Sequence, residues 1–349
     1  IKKILVNLTI FILLIILTFS LVLKDQDVSQ IFSVAAKVKK QYILFAVLAM
    51  SIYILGEAVN ITRILKELGE KSKLISNIRY TLIGFFFSAI TPAASGGQPM
   101  EIYYMHKDDI SVANSTLALL MQLCSLQIVT ITVGTISAVI HFEVLKSGLI
   151  YLLILGILLN SSALMLLIIA IFSKRLSEGL IKFAVKLLKF FRIPNVEKKQ
   201  EKLEKELESY QTSAKYIKEH KILMLKTVLT TVVQMIAYYS VPYWIYLAFG
   251  LTEYNIFEIL TLQAVLYATV SGIPSPGAVG VSEGGFLGIF RNVFPETIIS
   301  SAMLLTRGAN FYLFIIISAI IVMISTFREK RIEKKQMQET EVLTEKSEK

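Results

Sequence analysis

Long apolar runs without a charged side chain limit how this chain can fold more than any other feature. The runs 4–23, 149–173 and 227–252 contain no Asp, Glu, Lys or Arg. A helix of about 20 such residues crosses a hydrocarbon core about 30 Å thick. Since 54% of the 349 residues are hydrophobic, we predict an integral membrane protein, with helices that satisfy their own backbone groups in lipid.

The predicted fold is an all-α polytopic membrane protein with six full spans and two further apolar segments broken by Pro and Gly. The spans are placed at about 4–23, 41–62, 113–140, 149–172, 222–250 and 297–326. We call 80–106 the first broken segment and 257–292 the second broken segment, and expect both to be re-entrant. The predicted units are a first membrane half (1–172), a helical linker (173–221), a second membrane half (222–327) and a disordered tail (328–349).

The positive charge of the chain is concentrated in loops beside apolar runs. The net charge is +10, and basic residues are in excess at 63–79, at 173–221 and after Arg328. This pattern is typical of cytoplasmic loops beside anionic lipid and does not require nucleic acid. We therefore predict that both termini are cytoplasmic and that the first span is not cleaved, although the loop 24–40, placed outside, carries several lysines.

The linker divides into two predicted helices. Residues 176–191 alternate apolar and basic side chains at helical spacing, which indicates an interfacial amphipathic helix. Residues 197–221 form a charged helix with a thin apolar stripe and a Glu201–Lys205 pair. We expect this linker to pack on the cytoplasmic face, with lipid gating or partner docking as the alternative.

The two broken segments resemble each other. Each has Ser, then Ile, then Pro, then a Gly-rich turn, and Pro92 and Pro274 lie the same distance before Glu101 and Glu283. Pro removes a backbone donor and Gly permits non-helical angles, so both segments unwind, and their freed backbone groups line a polar cavity or are buried in protein. Three spans lie between them, which predicts an inverted repeat of the kind used for alternating access. The alternative is two kinks that only shape packing.

Ionisable side chains within apolar spans mark the candidate site. Arg307 lies midway along the last span, and Glu283 is the carboxylate that the nearer broken segment supplies. A functional polar site is the leading interpretation, and a structural ion pair is the alternative. Arg79 suits a headgroup contact or an interfacial anchor. We expect Glu57 and Asn60 to reach the cytoplasm along the lipid surface, and the buried glutamines (Gln98, Gln122, Gln127, Gln234 and Gln263) to join helices.

The sequence contains no recognisable set of catalytic residues. The chain has one cysteine (Cys124) and three widely separated histidines, and no Ser/His/Asp set or nucleotide-binding glycine loop. We expect no catalytic residue, no metal site and no cofactor.

The broken segments carry a resemblance to a known family. Residues 91–99, the run Pro274 to Glu283 and the run Leu304 to Arg307 resemble the flippase-like transmembrane domain of lysylphosphatidylglycerol synthases, the multiple peptide resistance factor group. The similarity extends over residues 1–327. Many members have an acidic residue at the position of Gln98 and a basic one at that of Glu101.

The resemblance implies lipid handling. Bifunctional relatives join such a domain to a soluble one that transfers lysine from lysyl-tRNA to phosphatidylglycerol, and their membrane part is associated with moving the product lipid and with resistance to cationic peptides. The short predicted tail leads us to expect no soluble transferase domain, and we therefore expect translocation of an anionic or lysylated phospholipid across the bacterial plasma membrane. The alternatives are a phosphatidylglycerol lysyltransferase acting with a separate aminoacyltransferase partner, and a small-solute transporter or a scaffold for envelope enzymes. An oligomer is compatible with the sequence.

The predicted substrate site lies between the broken segments. Arg307 would pair with phosphate, Glu283 would meet a cationic group or balance Arg307, and the unwound backbone would supply donors. The candidate binding residues are Arg307, Glu283, Gly277, Gly280, Gly96, Gly97, Gln98, Glu101 and Arg79.

Overall fold

The computed structural model describes residues 33–91, 94–141, 149–175, 178–179, 196–273 and 275–328, and these are helical with no strand among them. The helices are α1 Lys40–Glu67, α2 Leu74–Ile90, α3 Gly97–Lys107, α4 Val112–Ile140, α5 Leu149–Phe172, α6 Val196–Glu219, α7 Lys221–Ala248, α8 Ile256–Val270, α9 Val281–Ile289 and α10 Ile299–Arg328. The predicted span 4–23, most of the amphipathic stretch 176–191 and the tail after Arg328 lie outside the described residues.

Five of the described helices are long and apolar enough to cross a membrane: α1, α4, α5, α7 and α10. They coincide with five of the six predicted spans, and the all-α membrane fold is confirmed. The shorter apolar helices α2 and α8 each begin one of the broken segments. Large apolar side chains remain exposed along α5, as expected for a helix that faces lipid.

Polar side chains join the long helices at the centre of the bundle. Asn60 on α1 donates to Gln122 Oε1 on α4 at 2.8 Å and to Thr231 Oγ1 on α7 at 3.0 Å. Gln122 Nε2 in turn donates to Gln234 Oε1 at 3.2 Å. The prediction that Gln122 and Gln234 join helices is confirmed. The prediction that Asn60 reaches the cytoplasm is wrong, because Asn60 is fully buried and its amide serves helix–helix contact.

The first broken segment unwinds where the sequence places Pro92. Thr91 has extended angles (φ −118°, ψ 144°), as sterics before a proline favour. Its Oγ1 accepts a hydrogen bond from Gly96 N at 2.9 Å, and α3 then begins at Gly97. Ala94 adopts a positive φ of 53° in the turn. The break therefore lies between the end of α2 at Ile90 and the start of α3 at Gly97.

The second broken segment unwinds further. After α8 ends at Val270, a single 3₁₀ turn at Pro276–Ala278 separates it from α9. Gly277 and Gly280 have φ of 59° and 88°, a left-handed conformation that glycine adopts without a Cβ penalty. Glu283, in the first turn of α9, accepts a hydrogen bond from Gly280 N at 2.7 Å, which satisfies one of the free N–H groups at the helix start.

A π-helical turn at Gly308–Tyr312 interrupts α10 immediately after Arg307. Such single-turn bulges occur frequently at functional sites, because the extra residue redirects neighbouring side chains.

At one end of the bundle, which we call the α6 end, the charged helix of the linker forms hydrogen bonds with neighbouring helices. On α6, Glu206 Oε2 accepts from Ala113 N at the start of α4 at 3.1 Å, and Tyr210 donates to Ala170 O near the end of α5 at 2.9 Å. From the α1–α2 loop, Glu70 Oε1 accepts from Asn114 Nδ2 at 2.8 Å. The α1–α2 loop, the α3–α4 loop and the end of α5 therefore meet α6. The first broken segment begins and ends here.

The second broken segment begins and ends at the opposite end of the bundle. His141, just after α4, forms a 2.7 Å hydrogen bond with Thr261 in the first turns of α8. Tyr254, before α8, donates to the Asn292 carbonyl oxygen after α9 at 3.0 Å. Because α4 runs from the α6 end to His141, the two broken segments enter the bundle from opposite ends. The inverted-repeat hypothesis requires this antiparallel placement.

Candidate functional site

The two halves of the predicted ion pair meet between the second broken segment and the last span. Arg307 Nε donates to Glu283 Oε1 at 2.8 Å. Glu283 is completely buried and Arg307 is 7% exposed. Removing two charges from water costs several kcal/mol per ion, in order-of-magnitude terms, unless other groups satisfy the remaining lone pairs and protons.

The Glu283 carboxylate is fully engaged by protein groups. Besides Arg307, Oε1 accepts from the Tyr312 hydroxyl at 3.1 Å, and Oε2 accepts from Gly280 N at 2.7 Å. Of the two roles predicted for Glu283, balancing Arg307 fits this geometry, since the hydrogen bonds to both oxygens leave little capacity for a cationic ligand.

The Arg307 guanidinium is held by more than Glu283. It also donates from Nη2 to the Gly277 carbonyl oxygen at 3.1 Å, and its guanidinium carbon lies 5.6 Å from the ring centroid of Tyr312. An arginine has five N–H donors, of which two form the hydrogen bonds to Glu283 and Gly277. The guanidinium carbon also lies 4.0 Å from the ring centroid of Phe311, a cation–π contact that holds the charge in a desolvated place.

A cavity of about 290 Å³ adjoins this guanidinium. It lies between the two broken segments and has walls of mostly apolar and aromatic character. This volume is close to the lower limit of typical small-ligand pockets, about 300 Å³. The lining residues are Met50, Tyr53, Phe85, Ser88, Ala89, Ala94, Tyr238, Tyr267, Val270, Ser271, Gly272, Ile273, Ser275, Gly277, Ala278, Ser282, Arg307, Asn310 and Phe311.

The glycines of the second broken segment contact Arg307 and Glu283, whereas we predicted that their backbone would supply donors to a ligand. Gly277 presents its carbonyl oxygen, and not its N–H, to Arg307. A Cβ at this position would collide with the Phe311 ring. The N–H of Gly280 is occupied by Glu283. These two glycines therefore fix the arginine rather than offer free donors to a ligand.

The glycines of the first broken segment are packing residues in this structure. A Cβ at Gly97 would collide with Ser88 Oγ and lie 3.0 Å from the Gly84 carbonyl oxygen, and a Cβ at Gly96 would lie 2.7 Å from the Thr91 methyl group. They let α3 fold back closely on α2. The first segment lines the cavity with Phe85, Ser88, Ala89 and Ala94, and the lining does not include these glycines or Gln98. Their role in binding a ligand stays a prediction.

Glu101 lies apart from the cavity, against α2. It is 3% exposed, and its Oε2 has no hydrogen-bond partner among the described residues. A Cβ at Gly84 would collide with the carboxylate, so the glycine creates the space that Glu101 occupies.

Arg79 does not contribute to this site. It pairs with Asp108 in the α3–α4 loop, and Tyr80 also donates to Asp108. Because α2 begins at the α6 end, these contacts of Arg79 and Tyr80 with Asp108 connect the start of the first broken segment to the loop that follows α3. The structure thus brings together Arg307, Glu283, Gly277 and Gly280 from the predicted list, and separates Arg79 from them.

The sequence analysis missed the polar lining of the cavity. Asn310 lies in the π turn after Arg307, and Tyr53, Tyr238 and Tyr267 come from three different helices. Spacing from Arg307 could have indicated Asn310, since residues three apart share a helix face. The tyrosines had no local signal, because only tertiary packing brings α1, α7 and α8 together. Among the described residues, no group of three or more His, Cys, Asp or Glu side chains could hold a metal ion.

Comparison with known proteins gives two matches. The family model described as lysylphosphatidylglycerol synthase TM region matches residues 4–318. A UPF0104 membrane protein from Archaeoglobus fulgidus is 25% identical over 276 residues, which cover 75% of this chain and 80% of that protein. The family match includes both broken segments, Arg307 and the π turn.

Proposed function

Because the chain belongs to the family defined by the transmembrane region of lysylphosphatidylglycerol synthases, we propose that it is a flippase-like protein that moves a phospholipid between leaflets. The observation that carries the proposal is the nearly buried Arg307 guanidinium, which lines a cavity between two oppositely inserted broken segments. The proposed location is the bacterial plasma membrane, with both termini cytoplasmic.

Arg307 supplies the recognition chemistry in this proposal. A phosphodiester accepts hydrogen bonds from guanidinium N–H groups, and such charge-assisted bonds are short and strong. Glu283 keeps the site near electrical neutrality and fixes the orientation of the guanidinium. Asn310, Ser88 and the three tyrosines add polar groups to a mostly apolar wall, which suits a headgroup whose acyl chains remain in lipid.

The inverted broken segments supply a route for movement. Each unwound turn contributes to the cavity, and each segment opens toward a different end of the bundle. Rocking of one half against the other would expose the same arginine first to one leaflet and then to the other, as in carriers with inverted repeats.

A leaflet assay on the purified protein in liposomes tests this proposal. It follows labelled phosphatidylglycerol and labelled lysyl-phosphatidylglycerol in parallel. We expect Arg307→Gln to lower the rate at least about tenfold, the effect of losing about 1.5 kcal/mol or more of charge-assisted hydrogen bonding. Arg291→Gln, an exposed arginine beyond α9, is the matched control and should leave the rate unchanged. A folded Arg307→Gln protein that moves lipid as fast as the wild type would refute the assignment.

The family match also supports a second candidate, a membrane component of a phosphatidylglycerol lysyltransferase that acts with a separate aminoacyltransferase. The test adds lysyl-tRNA and phosphatidylglycerol to membranes with and without this chain. Lysyl-lipid made only when the chain is present would favour this candidate over the translocator.

A further inference from the structure

A second, much smaller cavity lies beside the cavity of about 290 Å³, which we call the main cavity. The smaller cavity, which we call the side pocket, has a volume of about 20 Å³. About 10–15 Å³ is enough for a single water molecule, so the side pocket has room for one oxygen-sized group. Arg307 and Asn310 line both cavities. A ligand that contacts Arg307 from the main cavity is therefore within reach of the side pocket.

Three side chains that line the side pocket carry an oxygen atom that no protein donor satisfies. Gln263 Oε1 on α8, and Thr306 Oγ1 and Asn310 Oδ1 on α10, are buried without a hydrogen-bond partner among the described residues. The three residues are 4%, 2% and 3% exposed. A buried acceptor without a donor is destabilising, and most buried polar atoms of native proteins have a partner. Three such oxygens around one small cavity therefore indicate a ligand that brings a hydrogen-bond donor.

The charge of the side pocket favours an uncharged donor. Among the described residues that line it, Arg307 is the only charged one. The carboxylate of Glu283 is already engaged by Arg307, Tyr312 and Gly280. An ammonium group would lie beside the guanidinium in a medium of low dielectric constant, where like charges repel strongly. A hydroxyl group has no charge, and it can donate to an amide oxygen while it accepts from the Thr306 hydroxyl.

We propose that the side pocket is a subsite for a hydroxyl group of the lipid headgroup, while the phosphate of the same headgroup lies on Arg307 in the main cavity. The substrate class is then a phospholipid with a polyol headgroup, in which a hydroxyl lies a few bonds from the phosphodiester. Gln263, Thr306 and Asn310 contact that hydroxyl. The subsite rests on the proposed function, because it names the group that accompanies the phosphate.

The position of the subsite links recognition to the second broken segment. Thr306 and Asn310 lie on either side of Arg307 along α10, with Asn310 inside the π turn. Gln263 lies on α8, the first helix of the second broken segment, and Ser282 on α9 also lines the pocket. A hydroxyl in the side pocket therefore contacts the same two elements that the Arg307–Glu283 pair joins. A site built to bond a hydroxyl discriminates strongly against an analogue that lacks it, because its own buried polar groups are then left unpaired.

A matched pair of lipids tests the subsite. Phosphatidylglycerol and phosphatidylpropanol carry the same phosphodiester and the same net charge, but the propyl group lacks both hydroxyls. The purified full chain in detergent is titrated with short-chain forms of each lipid, and the apparent affinity is taken from the rise in unfolding temperature. We expect phosphatidylglycerol to bind at least about tenfold more tightly, because the propyl group leaves the buried acceptors without a donor. Equal affinities would overturn the subsite, as expected if the pocket holds only water.

Two variants assign the preference to the side pocket. Thr306→Val and Gln263→Met replace a polar side chain by an apolar one of similar size. Each should reduce the preference to about threefold or less and leave the affinity for phosphatidylpropanol within about twofold of the wild type, because fewer acceptors then need a donor. Thr269→Val is the matched control, since Thr269 is a buried threonine of α8 that donates to the Val265 carbonyl oxygen at 2.8 Å and lines neither cavity.

The control should keep the full preference. Each variant is compared with its own unfolding temperature without lipid, and if one variant does not fold, the other decides. A folded Thr306→Val or Gln263→Met protein that keeps the full preference would contradict the subsite.

Two further measurements separate failure of the subsite from failure of the proposed function. Phosphatidylethanolamine replaces the hydroxyls by an ammonium group, and tighter binding of this lipid than of phosphatidylglycerol would contradict an uncharged donor. Arg307→Gln should weaken phosphatidylglycerol and phosphatidylpropanol equally, since both carry the phosphate. If both lipids bind equally and depend on Arg307, the subsite alone is refuted. If neither lipid binds to the wild type, the proposed function is refuted together with the subsite.

Discussion

The two broken segments share a Pro-to-Glu spacing but treat their glutamates in opposite ways. In the second segment, Glu283 accepts from Arg307, Tyr312 and Gly280 and is fully compensated. In the first segment, Glu101 is almost completely buried, and one of its carboxyl oxygens has no hydrogen-bond partner among the described residues. One segment holds a charge pair, and the other holds a buried carboxyl group without such a pair among the described residues.

The two broken segments therefore hold different kinds of polar group. A fixed guanidinium suits recognition of an anion, because its charge does not change. Four predictions test whether the two broken segments differ in this way.

The largest effect is expected from removal of Arg307. Arg307→Ala leaves the Glu283 carboxylate buried without its cation, which costs about 3–5 kcal/mol of stability. The double variant Arg307→Met/Glu283→Gln should recover most of that loss, since no charge remains buried. Thermal unfolding in detergent measures both, and equal losses in the single and double variants would contradict the fixed-pair interpretation.

A smaller effect is expected at Gly84. Gly84→Ala places a methyl group in the space of the Glu101 carboxylate, and overpacking of this kind costs about 1–3 kcal/mol. Adding Glu101→Ala should relieve the loss. Gly284→Ala, where a Cβ meets nothing within 4 Å, serves as the control in the same unfolding experiment.

The two glutamates should respond to the same substitution in opposite ways. Glu101→Gln removes a carboxyl group that no described cation compensates, so we expect stability to change by less than about 1 kcal/mol or to rise. Glu283→Gln leaves Arg307 as an unmatched buried charge and should destabilise strongly. Unfolding temperatures of the two variants that fall by the same amount would remove the distinction between the segments.

The smallest effect is expected on the pH dependence of stability, from the contacts that hold each broken segment at its end of the bundle. The first is tied by Arg79 and Asp108, and the second by His141, which bonds to Thr261. Burial lowers the pKa of His141, so the unfolded chain binds a proton more readily, and stability falls as the pH drops below about 6.5. Because His141 is not deeply buried, the effect is small. The unfolding temperature of His141→Gln should change slightly less between about pH 7.5 and 5.5 than that of the wild type. A steeper change would contradict the assignment.

Most of the membrane architecture could be predicted from local sequence. The five described spans follow from uninterrupted apolar length, and the two breaks follow from Pro92, Pro274 and the neighbouring glycines, because these residues restrict the backbone wherever they occur. The pairing of Arg307 with Glu283 was also accessible, since a buried arginine requires a carboxylate and the second broken segment offers one nearby.

The tertiary structure decided which polar groups meet. The sequence could not show that Asn60 joins α4 and α7, that Arg79 belongs to Asp108, or that Gly96 and Gly97 face α2 rather than the cavity, because each depends on contacts between helices distant in the chain. Apolar length and backbone restriction act locally and are readable from the sequence, whereas the partner of a buried charge is set by packing over the whole bundle.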